Sequence, residues 1–467
     1  MGICRHSSTC KNINKRRNGN LFFGVVVRVL HLATRDQGGG GFNAAYRLHI
    51  NMRDAGVDSV MLVLNKQSDD PNVIGMSDKL SALERMRWLW RRLVRRYNQR
   101  YRTSPYFHVE GSSLFTADKL ATTLPFSPDA VIIHWISAFL TADMLHQLSA
   151  ATGAPLYWYM MDMAPMTGGC HYAFDCREYT KKCGHCPQLR YGRSEFDISF
   201  RQWHRKFSNL HEADITAVVG SSWLRRQAME SSIFSGRPIK QIMLGMDADI
   251  FKPASQVDAR AVLGLPGARK VIFFGSQSTH EERKGMIYLV DALKQLYALL
   301  DDNSELRKSI LVVTAGFWGK AGKLEIPFEH RHLGSLQGDT MLAAAYQAAD
   351  IFVNASIEDS GPMMINESIL CGTPVVSFDM GVAPDLVHTG RTGYRARLRD
   401  SHDMATGLRT LLEMDIATFQ VMRKECRELG LRLCHADVQV REFLELFSSH
   451  ASLQSSPAKK SGACLIS

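Results

Sequence analysis

Two carboxylates, Asp359 and Glu367, lie eight residues apart in a segment that has the pattern of a loop opening a helix. A helix that begins near Pro362 would direct unpaired backbone N–H groups, around Met363 and Met364, toward an open cleft. Such helix N-termini bind phosphate groups without a charged side chain. Glu367, about one turn further along, would lie where a carboxylate can accept two hydrogen bonds from a ribose diol. The spacing therefore predicts a nucleotide-binding site.

Four cysteines within seventeen residues form a second candidate site. Cys170, Cys176, Cys183 and Cys186 have the spacing C-x5-C-x6-C-x2-C, and four thiolates so close in sequence can close around a structural zinc ion. Residues 183–186 also have the Cys-Gly-His-Cys sequence of the disulfide-isomerase active site. That chemistry needs a long helix after the motif, and Pro187 argues against one. We predict a structural zinc site, with buried free cysteines as the alternative.

A strongly basic segment spans residues 84–102, which contain eight arginines and one glutamate. Apolar residues recur there at spacings of three and four, which predicts an amphipathic helix with the apolar face Leu83, Met86, Trp90, Leu93, Val94, Tyr97 and Tyr101. Such a helix suits an anionic membrane surface as partner. The alternative is that the apolar face packs on its own domain. No nucleic acid is expected, because no recognised reading module accompanies the charge.

The composition limits the class of protein. The chain has 467 residues, of which 45% are hydrophobic and 22% charged, and this excludes a disordered or fibrous chain. No apolar run approaches the ~18 residues that a membrane-spanning helix needs. Ten cysteines are too few for a disulfide scaffold in a chain of this length, which favours a reducing, cytoplasmic compartment.

The elements that would position these groups follow a strand-helix-strand pattern. A buried strand over residues 25–30, the glycine run 38–41, a helix over 42–55 and a strand over 59–64 form a βαβ unit, and the pattern restarts after Pro253. The fold class predicted is α/β, with two Rossmann-like doubly wound domains that face each other across a cleft. The predicted divisions are a basic tail at 1–20, a first Rossmann-like domain at 21–250 with a four-cysteine insertion at 170–186, a second such domain at 251–448, and a disordered tail at 449–467.

Residues 355–387 resemble the nucleotide-sugar-binding signature of the retaining glycosyltransferases of family 4, the group 1 transferases with the GT-B fold. In that family two glutamates separated by seven residues precede a Cys-Gly-Thr-Pro turn. Here Asp359 occupies the first position, while Glu367, residues 371–374 and the loop at Gly381 match. The resemblance implies that Glu367 holds the ribose of the donor and that Asp359 contacts hydroxyls of the transferred sugar. It also implies that residues 251–448 form the nucleotide-sugar-binding domain and residues 21–250 the acceptor-side domain.

Residues 273–285 resemble the strand and loop whose arginine and lysine neutralise the donor diphosphate in that family. Ser276 replaces the family arginine, so Arg283 is expected to supply the missing charge beside Lys284. Gly40 and Gly41 are expected to let donor phosphate or acceptor approach the backbone at the start of the first helix.

Two further segments, residues 29–66 and the cysteine insertion, resemble a transferase subgroup of bacterial polysaccharide synthesis. Met161 replaces the histidine of a His-Asp pair that many relatives carry, which leaves Asp162 and His171 as acceptor-side candidates. The resemblance implies a lipid-linked or saccharide acceptor. With the basic helix, it also implies a peripheral location on the inner face of the plasma membrane.

The expected function is transfer of a sugar from a nucleotide diphosphate sugar to a hydroxyl acceptor with retention of configuration. In the family mechanism the leaving phosphate itself takes the acceptor proton, so no catalytic metal or other catalytic cofactor is expected. The residues expected to act in catalysis are Lys284, Asp359 and Glu367, and those expected to bind the donor are Gly40, Gly41, Arg283, Lys284, Pro362, Met363, Met364 and Glu367. The alternatives are a nucleotide-sugar epimerase on the same fold and a non-catalytic interaction protein that uses the basic helix.

Overall fold

The computed structural model describes residues 27–98, 104–111, 113, 115–278, 281–301, 304–317 and 325–455. Within them the strands form two parallel sheets, of seven and six strands. The first sheet has the order β3-β2-β1-β4-β5-β6-β7. Its strands are β1 (Arg28–Arg35), β2 (Asp58–Asn65), β3 (Val73–Gly75), β4 (Ala130–Ile133), β5 (Leu156–Met160), β6 (Ile215–Val219) and β7 (Ile239–Gln241).

The second sheet has the order β10-β9-β8-β11-β12-β13. Its strands are β8 (Lys270–Ser278), β9 (Ile310–Phe317), β10 (Glu329–His332), β11 (Ile351–Asn354), β12 (Val375–Phe378) and β13 (Gly393–Ala396). Both orders reverse direction beside the first strand of the sheet, as in doubly wound folds, so a crevice opens there at the carboxyl ends of the strands.

Helices cover both faces of each sheet. Those of the first half of the chain are α1 (Gly40–Asp54), α2 (Ala82–Asn98), α3 (Ala117–Ala121), α4 (Ala142–Thr152), α5 (Ile198–His211) and α6 (Ser222–Glu230). Those of the second half are α7 (Gln256–Val262), α8 (Met286–Leu299), α9 (Glu305–Ser309), α10 (Gly338–Ala348), α11 (Met363–Leu370), α12 (Ala383–Leu386), α13 (Ser401–Leu412), α14 (Ile416–Leu433) and α15 (Ala436–Ser455).

The apolar strands explain why the sheets lie in the core. All five residues of β5 and all four of β11 are buried, because helices pack on both faces of a parallel sheet. In β1 alternate side chains enter different cores: Leu30 and Leu32 pack in one cluster and Val29 in another. The predicted fold class, two Rossmann-like doubly wound domains, is confirmed by these sheets. The apolar runs at residues 130–133 and 156–160 predict two further strands of the first sheet, and β4 and β5 begin and end at these residues.

The carboxy-terminal helix departs from the predicted division at residue 250. Val440, Phe443 and Phe447 of α15 pack with Val29 and Tyr157 of the first sheet, so α15 joins the first domain although it follows the second in sequence. A pattern of apolar residues shows that a helix is amphipathic but not which core it covers. The predicted disordered tail at 449–467 is wrong over residues 449–455, which continue α15. Residues 456–467 and the predicted basic tail at 1–20 lie outside the described residues.

No helix in the described part of the chain is both long and apolar enough to span a bilayer.

The close approach of two loops at Gly285 provides a test of the second domain. Gly285 has a φ of +69°, and a Cβ atom there would lie 1.8 Å from the carbonyl oxygen of Ala355. Gly264 has a similar φ of +64° with nothing within 4 Å of such an atom. Gly264→Ala should lose about 1 kcal/mol of unfolding free energy through backbone strain alone. Gly285→Ala should lose about 3 kcal/mol or more, because the loops must separate.

Urea unfolding of the two variants, followed by tryptophan fluorescence, measures this difference. Equal losses in the two variants would contradict the close approach of Gly285 and Ala355.

Candidate active site

A cleft of about 790 Å³ lies between the two domains. Loops at the carboxyl ends of both sheets form its walls, as the doubly wound topology requires. The first domain contributes Gly38–Ala44, Trp135, Tyr159–Asp162, Tyr172, Gly220 and Leu244. The second contributes Gly275–Gln277, Arg283, Lys284, Ala315, Gly316, Ser335–Gly338, Leu342 and Asp359–Met364. Of the residues predicted to bind the donor, Gly40, Gly41, Arg283, Lys284, Pro362, Met363 and Met364 line the cleft.

Two helix N-termini face each other in this cleft. Helix α1 begins at Gly40 and α11 begins at Met363, and a Cβ atom on Gly40 would lie 3.4 Å from the Met363 methyl carbon. Neither helix has a side chain that caps its first N–H groups. The unpaired N–H groups and the helix dipoles therefore direct partial positive charge toward one cavity, which favours an anion there. Gly38, just before α1, has a φ of +91° that favours glycine.

Asp359 holds Arg283 and Lys284, the two cations among the described residues that line the cleft. Its Oδ2 atom lies 2.7 Å from Arg283 Nη1 and 2.6 Å from Lys284 Nζ. Burial alone would raise the pKa of Asp359, but the ammonium of Lys284 and the guanidinium of Arg283 outweigh it and lower the pKa to about 2. The carboxylate is therefore ionised. Its negative charge neutralises the two cations, which could otherwise bind an incoming diphosphate.

The local chain path explains why these three side chains meet. A short 3-10 turn carries Arg283 and Lys284 and ends at Gly285, where the backbone passes close to Ala355. The backbone N–H of Ile357 donates a hydrogen bond to the carbonyl of Arg283 at 2.8 Å. The loop that follows β8 and the loop that follows β11 are thus joined directly beside Asp359.

Arg283 also links the two domains. Its guanidinium lies 4.5 Å from the ring centroid of Tyr172, which belongs to the cysteine insertion of the first domain. In the same region Arg399 of the second domain forms an ion pair of 3.1 Å with Asp175 of the insertion. The insertion therefore contacts the loop that carries the predicted phosphate-binding cations, and nothing in the sequence indicated this contact.

Glu367 lies one turn into α11 and behind the wall of the cleft, with 3% of its side chain exposed. Its Oε2 atom accepts a hydrogen bond of 2.9 Å from the hydroxyl of Tyr346. Its Oε1 atom lies 3.5 Å from Nη1 of Arg47, which reaches across from α1 and also binds Asp339 at 2.6 Å. Burial raises the pKa of Glu367, although Arg47 opposes the rise. In this structure the carboxylate is therefore already hydrogen-bonded from both domains.

No signal in the sequence marks Arg47 and Tyr346 as residues of the site. Each lies on an amphipathic helix, where an arginine or a tyrosine is an ordinary residue, and Arg47 is 320 positions from Glu367.

Asp162 is the carboxylate on the first-domain wall. Its Oδ2 atom accepts a hydrogen bond of 2.7 Å from Trp135 Nε1 and lies 2.6 Å from His171 Nδ1, and its Oδ1 atom accepts one of 2.8 Å from the backbone of Ala164. Burial alone would raise the pKa of Asp162, but His171 outweighs it and keeps the pKa below its ordinary value. Met161 also lines the cleft, so the missing histidine leaves a thioether beside this carboxylate.

The predicted zinc site at Cys170, Cys176, Cys183 and Cys186 is not supported. Among the described residues, no group of three or more histidine, cysteine, aspartate or glutamate side chains is placed to hold a metal ion. The thiols face apolar surroundings instead: Cys170 and Cys186 pack with Phe107 and Leu189, and Cys183 packs in the main core of the first domain. Burial raises the pKa of all four thiols. The alternative, free and mostly buried cysteines, describes the structure.

The basic segment forms α2, as predicted, but its apolar face points outward. Leu83, Met86, Leu89, Trp90, Leu93 and Tyr97 are each between 48% and 65% exposed. Trp88 on the other face packs against the core of the first domain, and Glu84 forms an ion pair of 2.6 Å with Lys119. The alternative that the apolar face packs on its own domain is therefore wrong. Residues 99–102 of the segment lie outside the described residues.

Comparison with known proteins agrees with this architecture. Residues 268–414 match the family model described as Glycosyl transferases group 1. This range runs from β8 to α13 and includes Arg283, Lys284, Asp359 and Glu367.

Curated relatives resemble about half of the chain or less. The phosphatidyl-myo-inositol mannosyltransferase of Mycobacterium leprae is 30% identical over 229 residues, which cover 48% of this chain and 54% of that protein. The sulfoquinovosyl transferase of Arabidopsis thaliana is 26% identical over 47% of this chain and 42% of its own. D-inositol 3-phosphate glycosyltransferase 2 of Catenulispora acidiphila is 31% identical over a region that covers 36% of this chain and 41% of that protein. The chain thus spans about half the length of these relatives.

Solved structures resemble nearly the whole chain. A glycosyltransferase from Rickettsia africae superposes with a TM-score of 0.62 at 14% identity, over 92% of this chain and all of that one. Anabaena HepE, in complex with UDP and glucose, superposes with a TM-score of 0.59 at 16% identity, over 91% of this chain and all of that one. Sucrose-phosphate synthase from Thermosynechococcus elongatus superposes with a TM-score of 0.60 at 14% identity, over 91% of this chain and all of that one. At these identities the likeness shows the fold. The chain therefore has the GT-B fold, and its second domain matches the glycosyl transferases of group 1.

Proposed function

We propose that this protein is a retaining glycosyltransferase of family 4 that moves a hexose from a nucleoside diphosphate sugar to a hydroxyl acceptor. One observation carries the proposal: two helix N-termini and the cations Arg283 and Lys284 meet at one cleft beside Asp359. Such an arrangement stabilises the negative charge of a departing diphosphate. The donor assignment is supported by Anabaena HepE, a protein of the same fold whose structure contains UDP-glucose.

The cations must be exchanged between Asp359 and the donor when the donor binds. Lys284 and Arg283 turn from the carboxylate to the diphosphate, while the N–H groups at Met363 and Met364 bind the same phosphates. Asp359, relieved of its ion pairs, then accepts hydrogen bonds from hydroxyls of the transferred sugar. The leaving phosphate accepts the acceptor proton on the same face of the sugar, so the configuration at the anomeric carbon is retained.

Glu367 binds the ribose of the donor in this proposal. A ribose hydroxyl is a neutral donor and cannot replace the charge of Arg47. Arg47 therefore leaves one acceptor position of Glu367 Oε1 to the ribose hydroxyl and remains paired with Asp339. Ribose recognition by Glu367 is thereby coupled to the approach of α1 from the other domain.

Replacement of Glu367 tests the donor site. Glu367→Gln should weaken binding of the preferred nucleoside diphosphate about 10- to 100-fold, because an amide oxygen replaces a charged acceptor. Thermal stabilisation by a panel of UDP, GDP and ADP identifies the base, and calorimetry measures the affinity. Glu413→Gln, on the surface at the end of α13, is the matched control and should bind normally. Stabilisation that is equal in wild type and Glu367→Gln would refute the ribose contact.

Replacement of Lys284 tests the chemical step. Lys284→Met should lower kcat/KM for donor cleavage about 100- to 1000-fold, because the developing negative charge loses a cation. Release of nucleoside diphosphate from UDP-, GDP- and ADP-sugars is the readout, with the exposed Lys294→Met of α8 as control. Turnover that needs no acceptor and yields a rearranged sugar would favour an epimerase, and no cleavage of any donor would favour a non-catalytic interaction protein.

We also propose that α2 docks the protein on the anionic inner face of the plasma membrane, where a lipid-linked acceptor is available. The six exposed apolar side chains form one face of the helix, and the exposed Arg85, Arg87 and Arg92 flank it. This is the pattern of helices that lie in a membrane interface. The anchoring of α2 through Trp88 and Glu84 fixes the apolar face toward the outside, so docking requires no rearrangement.

Neutralising these arginines tests membrane docking. The triple variant Arg85→Gln, Arg87→Gln, Arg92→Gln should bind vesicles of anionic lipid about 100-fold more weakly, since each cation near the surface contributes about 1 kcal/mol. The control removes the same charge elsewhere, at the exposed Arg201, Arg225 and Arg226 of α5 and α6. Co-sedimentation with anionic and neutral vesicles measures the binding. Equal losses in the two triple variants would contradict a role for α2.

A further inference from the structure

Arg47, two turns into α1, extends from the first domain into the second. Its Nη2 atom lies 2.6 Å from Asp339 Oδ1, and its Nη1 atom lies 3.5 Å from Glu367 Oε1. The apolar residues around the guanidinium pack in the core of the second domain, and they are Met246, Phe251 and Met363. Arg47 is not among the described residues that line the cleft, so it acts on a bound nucleotide through its neighbours rather than by contact.

The charges around Glu367 make Arg47 its sole ion-pair partner within the described part of the chain. Strands β11 and β12, which pack against α11, contain no charged side chain. On α12, Asp385 is hydrogen-bonded to Ser222 of the first domain. The remaining titratable groups around α11 are Asp339 and Tyr346 of α10, Cys371 at the end of α11, and Arg423 and Arg427 of α14, which face Cys371. The cation in contact with Glu367 therefore comes from the opposite domain.

This cation influences the ionisation of Glu367. Burial raises the pKa of Glu367 above its ordinary value, Arg47 and the Tyr346 hydroxyl oppose this rise, and the charge of Asp339 adds to it. A carboxylate accepts stronger hydrogen bonds from ribose hydroxyls than a protonated carboxyl group does, because its charge assists the bond. Arg47 therefore sets the pH above which Glu367 can hold a ribose strongly.

The other branch of the guanidinium acts at the start of α10. Asp339 lies in the first turn of this helix, next to Gln337 and Gly338, which line the cleft. A guanidinium group is planar and presents separate N–H donors in a fixed fork, so it can hold two carboxylates in one relative position. Arg47 thus fixes the start of α10 and the carboxylate of α11 against the same helix of the first domain.

We propose that Arg47 is a positioning residue of the nucleotide site, which acts from the first domain through Glu367 and Asp339. The assignment of the ribose to Glu367 rests on the proposed function, but nucleotide affinity can be measured without turnover. Strong binding of a nucleoside diphosphate then requires α1 to lie against α10 and α11.

Replacement of Arg47 tests this role through the pH dependence of binding. Calorimetry from about pH 5 to about pH 9 measures the affinity for the preferred nucleoside diphosphate among UDP, GDP and ADP. Arg47→Met should weaken binding about tenfold near neutral pH, and the affinity should recover as the pH rises, because Glu367 ionises again. The pH midpoint of the affinity should lie about one unit or more above that of the wild type. An unchanged midpoint would overturn the proposal.

Replacement of Asp339 tests the same carboxylate in the opposite direction. Asp339→Asn removes a negative charge beside Glu367, which should lower the pKa of Glu367 and move the midpoint below that of the wild type. Asp339 is partly exposed and Glu367 keeps its pairing with Arg47, so this variant decides the question even where Arg47→Met does not fold. A midpoint that rises in Asp339→Asn would contradict the proposal.

A double variant separates positioning from a general structural role. In the Glu367→Gln background, Arg47→Met should weaken binding about threefold or less and should leave the pH profile unchanged, because the titrating partner is absent. Arg47→Lys keeps the positive charge and should return the midpoint toward that of the wild type. The control Arg53→Met lies on the same helix, but Arg53 pairs with Asp70 inside the first domain, and the profile should not change. Equal losses from Arg47→Met in both backgrounds would indicate a structural role and overturn the proposal.

Failure of this proposal and failure of the proposed function give different results. If nucleotide binding shows these pH shifts but no donor is cleaved, the positioning role stands and the transferase function fails. If a donor is cleaved and Glu367 is needed for binding, but Arg47→Met keeps the wild-type midpoint, the transferase function stands and the positioning role fails.

Discussion

The ion pairs between Asp359 and the two cations Arg283 and Lys284 are the interaction on which the rest of the site depends. A buried carboxylate is costly unless it is paired, and the two cations keep this one ionised. The pairing exists because the backbone at Gly285 passes directly beside Ala355, which is possible for a residue without a side chain. The backbone contact between Gly285 and Ala355 thus brings Asp359 next to Arg283 and Lys284. An anionic ligand of the cleft must compete with Asp359 for these two cations.

The second constraint acts across the domains. Arg47 joins α1 to Asp339 and Glu367, and Arg283 stacks on Tyr172 of the insertion, so each side of the cleft is tied to the other by a guanidinium group. A ligand that recruits either arginine also changes a contact between domains. Binding and domain arrangement are therefore linked through the same side chains, without any additional element.

The cysteine insertion has a structural role that differs from the expected metal site. Its thiols lie in apolar packing around Phe107 and Leu189, and its other side chains, Tyr172 and Asp175, reach the second domain. The exposed apolar face of α2 lies on the same domain, on a helix whose inner face is anchored by Trp88. The first domain thus combines a fixed aromatic wall inside the cleft with an apolar surface outside it.

The two doubly wound domains, the start of α11 near Pro362 and the position of Lys284 and Asp359 at the cleft can be predicted from the amino-acid sequence. These follow from local signals: the apolar strands, glycine-rich loops and helix starts are each encoded within about ten residues. Contacts between distant residues were decided by the tertiary structure. The pairing of Glu367 with Arg47 and Tyr346, the return of α15 to the first domain, the outward face of α2 and the apolar packing of the cysteines all depend on which surfaces meet. A periodic pattern shows that a face is apolar or charged. Whether that face is buried or paired depends on which distant segments pack against it, and this packing determines the free energy of the charge or of the apolar face.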